Sequence, residues 1–125
     1  MKKFVLTAAI VLMLAPTAFA QGHSHGDKKG PHGGPMQDVV GIEAELILAE
    51  RTMIIHAYDE AGKPASTAGY SGSALIGVGQ ARQVVQLTPG ADNTLSGVTT
   101  TAIPRGTAVT LQIKAPDGKS GQAKF

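Results

Sequence analysis

The sequence predicts an all-β protein, a small immunoglobulin-like β-sandwich of about seven strands that carries a flexible histidine-rich N-terminal arm. After residue 38, short segments of alternating apolar and polar residues recur every ten residues or so, separated by turn-forming residues. No segment shows the apolar repeat of an amphipathic helix. An up-and-down or Greek-key barrel is the alternative arrangement for such strands.

Residues 1–20 have the layout of a secretory signal peptide. Lys2 and Lys3 give a positive start, an apolar run follows over 4–15, and Ala18 and Ala20 form a small-residue cleavage pattern. The run is shorter than the roughly 20 apolar residues that span a bilayer. We therefore expect cleavage after Ala20, a periplasmic location and no stable membrane anchor after cleavage.

Cleavage leaves an arm, residues 21–38, and a β domain, residues 39–125. Glycine, proline, lysine and aspartate dominate the arm, so it has too little apolar surface to offset the entropy of ordering its backbone. The chain has no cysteine, which excludes disulfides and thiolate ligands. We expect the arm to be flexible and the domain to contain one small core.

Charge and aromatic content argue against a nucleic-acid partner. The whole chain has 11 Lys and Arg against 9 Asp and Glu, and removal of Lys2 and Lys3 balances the two signs. A balanced chain lacks the basic face that binds phosphates. Only Tyr58, Tyr70 and Phe125 remain as aromatic residues after cleavage, too few for base-stacking platforms.

The strands are predicted from alternation and from the turns between them. Alternation is clearest where Val109, Leu111 and Ile113 share one face, and the turn Pro116-Asp117-Gly118 after them predicts a C-terminal hairpin. The predicted strands are 42–48, 53–58, 73–78, 83–87, 94–100, 109–114 and 123–125.

The histidines point to metal binding by the arm. A chain cut after Ala20 begins Gln21-Gly22-His23, which offers the α-amine, two amide nitrogens and the His23 imidazole in one plane. Four nitrogens in a square suit Cu(II) or Ni(II) better than Zn(II). Cyclisation of Gln21 to pyroglutamate would remove the amine and weaken this site.

His25 and His32 form a second possible arrangement, to which Met36 can add a thioether. Zn(II) also accepts imidazole, but the spacing matches no closed structural zinc site, so we expect exchangeable binding. Met36 is either a ligand or a packing contact on the domain.

His56 lies inside a predicted strand, where a lone histidine is more often a packing residue than a ligand. It becomes a candidate if the arm folds back across its face. Glu43 and Glu45 share a strand face, as an acidic rim or as an ordinary solvated surface.

Several short motifs together resemble a group of small exported bacterial proteins that are associated with heavy-metal or copper handling and efflux. The motifs are Pro31-His32-Gly33-Gly34, Glu45-Leu46, Tyr58-Asp59, Gly62-Lys63-Pro64, Leu87-Thr88-Pro89, Asn93-Thr94-Leu95-Ser96-Gly97 and Ala123-Lys124-Phe125. The resemblance implies a periplasmic β-sandwich with His32 in a characteristic turn and an apolar residue at position 56. The general architecture, a sandwich with a metal-binding N-terminus, is also similar to that of the copper-resistance C proteins. This chain lacks a histidine at its first mature residue, so the similarity covers the architecture and not the ligands.

No enzyme is expected, because partial matches to nucleotide-binding and hydrolase motifs fail at defining positions. Two functions remain. The first is a periplasmic metal-binding protein that buffers or delivers copper, nickel or zinc, accessory to a membrane efflux system. The second is a non-metal interaction module that docks on an envelope protein through a sandwich face or an edge strand.

Overall fold

The computed structural model describes residues 28–125, which form eight β-strands and a short 3₁₀ turn at Gly79–Ala81. This confirms the all-β prediction. The strands are β1 (Met36–Val39), β2 (Ile42–Ala49), β3 (Thr52–Tyr58), β4 (Ser71–Ile76), β5 (Gln83–Pro89), β6 (Thr94–Val98), β7 (Val109–Lys114) and β8 (Ser120–Lys124).

All eight strands belong to one antiparallel sheet in the order β1-β2-β3-β6-β5-β4-β7-β8. The edge strands β1 and β8 lie side by side, so the sheet is nearly closed and barrel-like. A seven-stranded immunoglobulin-like sandwich is therefore not confirmed. The chain crosses over between β3 and β4 and between β6 and β7, and these long-range pairings leave no local pattern in the sequence.

Each of the seven predicted strands has a counterpart, and the additional strand is β1. It begins at Met36, within the segment predicted as the arm, and pairs with β2 in the register Met36 to Glu45 and Val39 to Ile42. Val40 and Gly41, both with positive φ, form the tight turn between the two strands. Val40 gives no sequence signal for this turn, since β-branched residues rarely adopt positive φ.

Alternation in β2 and β3 separates an inner face from an outer one. Inward-facing residues join a single apolar core, whereas Glu43 and Glu45 of β2 and His56 of β3 lie on the outer face. The core consists of Val39, Ile42, Ala44, Leu46, Met53, Ile55, Ala57, Ala74, Ile76, Val85, Leu87, Leu95, Ile103, Val109, Leu111, Ile113 and Ala123.

Residues 28–35, which we call the strap, fold back over this outer face. The strap closes on itself, with Gly30 N–H donating to Gly34 O at 2.8 Å. It is fixed to the sheet by Leu46 N–H, which donates to Pro35 O at 3.0 Å. Across residues 28–125, no helix has the length and apolar character needed to cross a lipid bilayer.

Candidate functional site

A buried carboxylate lies at the centre of the candidate site. Glu45 belongs to the outer face of β2, yet its side chain is 0% exposed because the strap covers it. Its Oε2 accepts the backbone N–H groups of His32 at 2.8 Å and Gly34 at 3.0 Å. Its Oε1 lies 2.9 Å from His32 Nδ1 and accepts the Tyr58 hydroxyl at 3.1 Å. The carboxylate therefore ties the strap to β2 and β3.

The hydrogen bonds of Glu45 determine its ionisation state. Burial alone raises the pKa of a carboxyl group. Here the bonds from the His32 ring, the Gly34 and His32 N–H groups and Tyr58 outweigh burial, so the pKa of Glu45 lies below its ordinary value of 4.5. Glu45 is thus an anion at neutral pH.

An anionic Glu45 determines which ring nitrogen of His32 carries the proton. A carboxylate has no proton to donate, so the 2.9 Å contact requires the proton to be on His32 Nδ1. In the neutral ring, Nε2 then carries the free lone pair. The side chain of His32 is 51% exposed, and this nitrogen has no hydrogen-bond partner among residues 28–125.

The local sequence explains why His32 stands over Glu45. Gly30 begins a turn whose second residue is Pro31, a position that suits the fixed φ of proline. Gly33 ends it with φ +81 and donates its N–H to Gly30 O at 2.9 Å. The turn presents the N–H groups of His32 and Gly34 to the same carboxylate oxygen.

His56 completes the cluster on the side of β3. Its ring stacks on that of His32, with centroids 3.9 Å apart and planes 14° from parallel. Burial and then the charge of His32 lower the pKa of His56 below 6.5, although the charge of Glu45 partly opposes them. The strap does fold across the face of His56, which is the arrangement that makes this histidine a candidate.

Tyr58, two residues after His56 in β3, also contacts His32. Its hydroxyl oxygen lies 3.2 Å from His32 Nδ1, so the proton on Nδ1 faces two oxygens. Burial, the hydrogen bond to Glu45 and the charge of Glu45 raise the pKa of Tyr58 to about 12. Tyr58 therefore remains a neutral donor throughout the physiological range.

The predicted ligands fall into three groups. His32 lies in the cluster just described. Met36 is 4% exposed and lines a pocket of about 330 Å³ together with Tyr58. The other predicted ligands, Gln21, Gly22, His23 and His25, lie outside the described residues.

Comparison with protein-family models, with curated proteins and with solved structures gives no match. Any assignment of function therefore depends on the geometry of the site. In the part of the chain that the structure describes, no three His, Cys, Asp or Glu side chains are grouped so that they hold a metal ion.

Sequence reasoning missed the role of Glu45. Alternation places this residue correctly on the outer face, and its neighbour Glu43 is indeed at the surface, where Lys28 Nζ contacts it at 2.8 Å. The available signal was the density of glycine around His32. A Cβ on Gly30 would lie 2.6 Å from Glu45 Oε2, so the strap approaches Glu45 this closely only with glycine at that position.

The three shifted pKa values predict that the domain loses stability in acid and in alkali. The pKa of Glu45 is below 4.5 and that of His56 below 6.5, so the unfolded chain binds these protons first as the pH falls. The free energy of unfolding should therefore decrease as the pH falls below 6.5, and further below 4.5. Tyr58 has the opposite shift, from 10.0 to about 12, so the unfolded chain loses its proton first as the pH rises between these values.

Urea denaturation over a series of pH values measures this dependence. The Tyr58→Phe variant is the control for the alkaline limb, since it removes the titrating hydroxyl and keeps the ring. Equal alkaline losses in the variant and the wild type would contradict the assigned role of Tyr58.

Proposed function

We propose that this chain is an exported, periplasmic metal-binding protein that buffers or delivers copper, nickel or zinc, accessory to metal efflux or resistance. The observation that supports the proposal is the contact of His32 Nδ1 with the buried Glu45, which leaves the lone pair of Nε2 available to a metal ion on a half-exposed side chain. Histidine ligands in metal sites almost always donate their second ring N–H to a carboxylate or carbonyl in this way. The carboxylate fixes the tautomer and makes the imidazole a better donor.

The remaining ligands come from the residues before the strap. We propose that His23 and His25, with the amine of Gln21 when it is free, share the ion with His32. Only two residues separate His25 from Lys28, so covalent geometry keeps their Cα atoms within about 11 Å of each other. Nitrogen donors favour Cu(II) and Ni(II), with Zn(II) as a further possibility.

Such a site combines His32, which its contacts with Glu45 hold in place, with ligands from the arm. The composition of the arm predicts that it is flexible, so each arm ligand costs entropy when the ion orders it. Binding of this kind is exchangeable, which suits a protein that buffers an ion or passes it on. Met36 is a weaker candidate as a ligand, because it is nearly completely buried beside the strap.

The test removes Nε2 while keeping the contact with Glu45. In His32→Asn the side-chain amide nitrogen takes the place of Nδ1 and can still donate to the carboxylate, so the strap should remain closed. Titration of Cu(II), Ni(II) and Zn(II) into the protein exported from the full-length chain should give an affinity at least about tenfold lower for the variant. A second variant, which lacks residues 21–27, measures how much His23 and His25 contribute to the metal affinity.

Mass determination of the exported N-terminus accompanies the titration, because it reports the cleavage site and any cyclisation of Gln21. Unchanged affinities in both variants would contradict the proposal. That result would favour the interaction module, the alternative function of a small all-β domain in the cell envelope.

A further inference from the structure

His56 has unused hydrogen-bonding capacity beside the candidate ligand His32. Neither nitrogen of its ring has a hydrogen-bond partner in the described part of the chain, although the side chain is half-buried. Its backbone is fixed on both sides, since β3 pairs Glu45 of β2 and Thr94 of β6 directly with this residue. The sheet therefore fixes the backbone of His56 under the strap.

The separation of the two rings suits a shared ion. Metal–nitrogen bonds to histidine are about 2.0–2.1 Å long, so two nitrogens on one ion lie about 3–4 Å apart. The ring centroids of His32 and His56 are 3.9 Å apart, so the two imidazoles are direct neighbours, although this distance joins the ring centres and not the ligand nitrogens.

The orientation of the rings shows which of them has to move. The planes are 14° from parallel, and lone pairs that lie in parallel planes do not converge on one point. His32 is anchored to Glu45 through its ring and through its backbone N–H. The His56 ring has no such hydrogen bond among residues 28–125, and its stack on His32 is the contact that a rotation of the ring would break.

We propose that His56 is a second metal ligand, which turns out of the stack to bind, with His32 Nε2, one ion of the class that prefers imidazole: Cu(II), Ni(II) or Zn(II). This inference rests on the proposed function, because it requires His32 to bind an ion. Two imidazoles on the folded domain leave the other coordination positions to water. In the metal-free state the His56 ring is held by its stacking contact with the His32 ring.

The test separates a ligand from a stacking platform. His56→Phe keeps a flat ring against His32 and leaves the contacts of His32 with Glu45 in place, but it removes both ring nitrogens. We expect its affinity for Zn(II) to be at least about tenfold lower than that of the wild type. Thermal denaturation of the metal-free variant checks that it folds.

Nitrogen-15 NMR of the histidine rings provides a second measurement, on the wild-type protein alone. Addition of Zn(II), which is diamagnetic, should shift His32 Nε2 and one ring nitrogen of His56 together, and it should abolish the ring-current shifts that the stack produces. This measurement decides the question if His56→Phe does not fold.

The outcomes distinguish the two proposals. Wild-type affinity in His56→Phe, with only the His32 signals responding to Zn(II), would overturn the role of His56 and leave His32 as a ligand. Wild-type affinity in His32→Asn, with neither ring responding, would overturn both.

Discussion

Replacement of Glu45 by alanine should lower the free energy of unfolding by about 3–5 kcal/mol. The change removes the acceptor of two backbone N–H groups, of the His32 ring and of the Tyr58 hydroxyl. A buried donor that loses its acceptor costs about 1–3 kcal/mol, and water that enters the vacated space can satisfy only some of these donors. Urea denaturation at pH 7 measures the loss.

Glu45→Gln is the matched control, because it keeps the volume, removes the charge and replaces one acceptor oxygen by an amide nitrogen. The amide oxygen can accept the N–H groups of His32 and Gly34, while the amide nitrogen faces His32 Nδ1. The amide nitrogen can only donate, so His32 Nδ1 must then act as the acceptor, which moves the ring proton to Nε2. We expect most of the stability to remain while metal affinity falls about 10–100-fold.

The two variants thus separate the structural role of the carboxylate from its effect on the tautomer. A stability loss below 1 kcal/mol or so in Glu45→Ala would show that the strap does not depend on this residue. Unchanged metal affinity in Glu45→Gln would show that His32 Nε2 is not the atom that binds the metal ion.

The predictable part of the fold is the part that depends on local alternation. Residues 109–114 alternate because one face of β7 is buried and the other is solvated, and the observed strand has the predicted bounds. Strand β1 has only four residues, and it is a strand because it pairs with β2. Likewise, β3 pairs with β6 and β4 pairs with β7 although the paired strands are distant in sequence.

The candidate site was predictable to the same extent. The resemblance described above implies a turn at His32, and alternation places Glu45 on the same strand face as Glu43 and His56 on the same strand face as Tyr58. What alternation does not show is that this face is covered. A carboxylate on an outer strand face is normally solvated, and only the position of the strap makes Glu45 a buried anion.

Gly34→Ala should detach the strap, with a loss of about 2–4 kcal/mol in the free energy of unfolding. A Cβ at this position would overlap the carbonyl oxygen of Leu46 and would lie 2.7 Å from Ile47 Cδ1. The backbone cannot retreat without lengthening two bonds, from Gly34 N–H to Glu45 at 3.0 Å and from Leu46 N–H to Pro35 O at 3.0 Å. Urea denaturation and amide hydrogen exchange at Gly34 and Leu46 measure the effect.

Gly33→Ala is the control one residue away. Gly33 has φ +81, but no atom lies within 4 Å of the point that a Cβ would occupy, so alanine there meets backbone strain without a clash. That strain costs about 1–2 kcal/mol and leaves the contacts with Glu45 in place. If the two variants lose equal stability and exchange equally fast at Leu46, the close approach of the strap to β2 is not what keeps Glu45 buried. A larger loss and faster exchange in Gly34→Ala alone would show that the strap needs glycine where it touches the sheet, because the gap between Gly34 and β2 has no room for a Cβ.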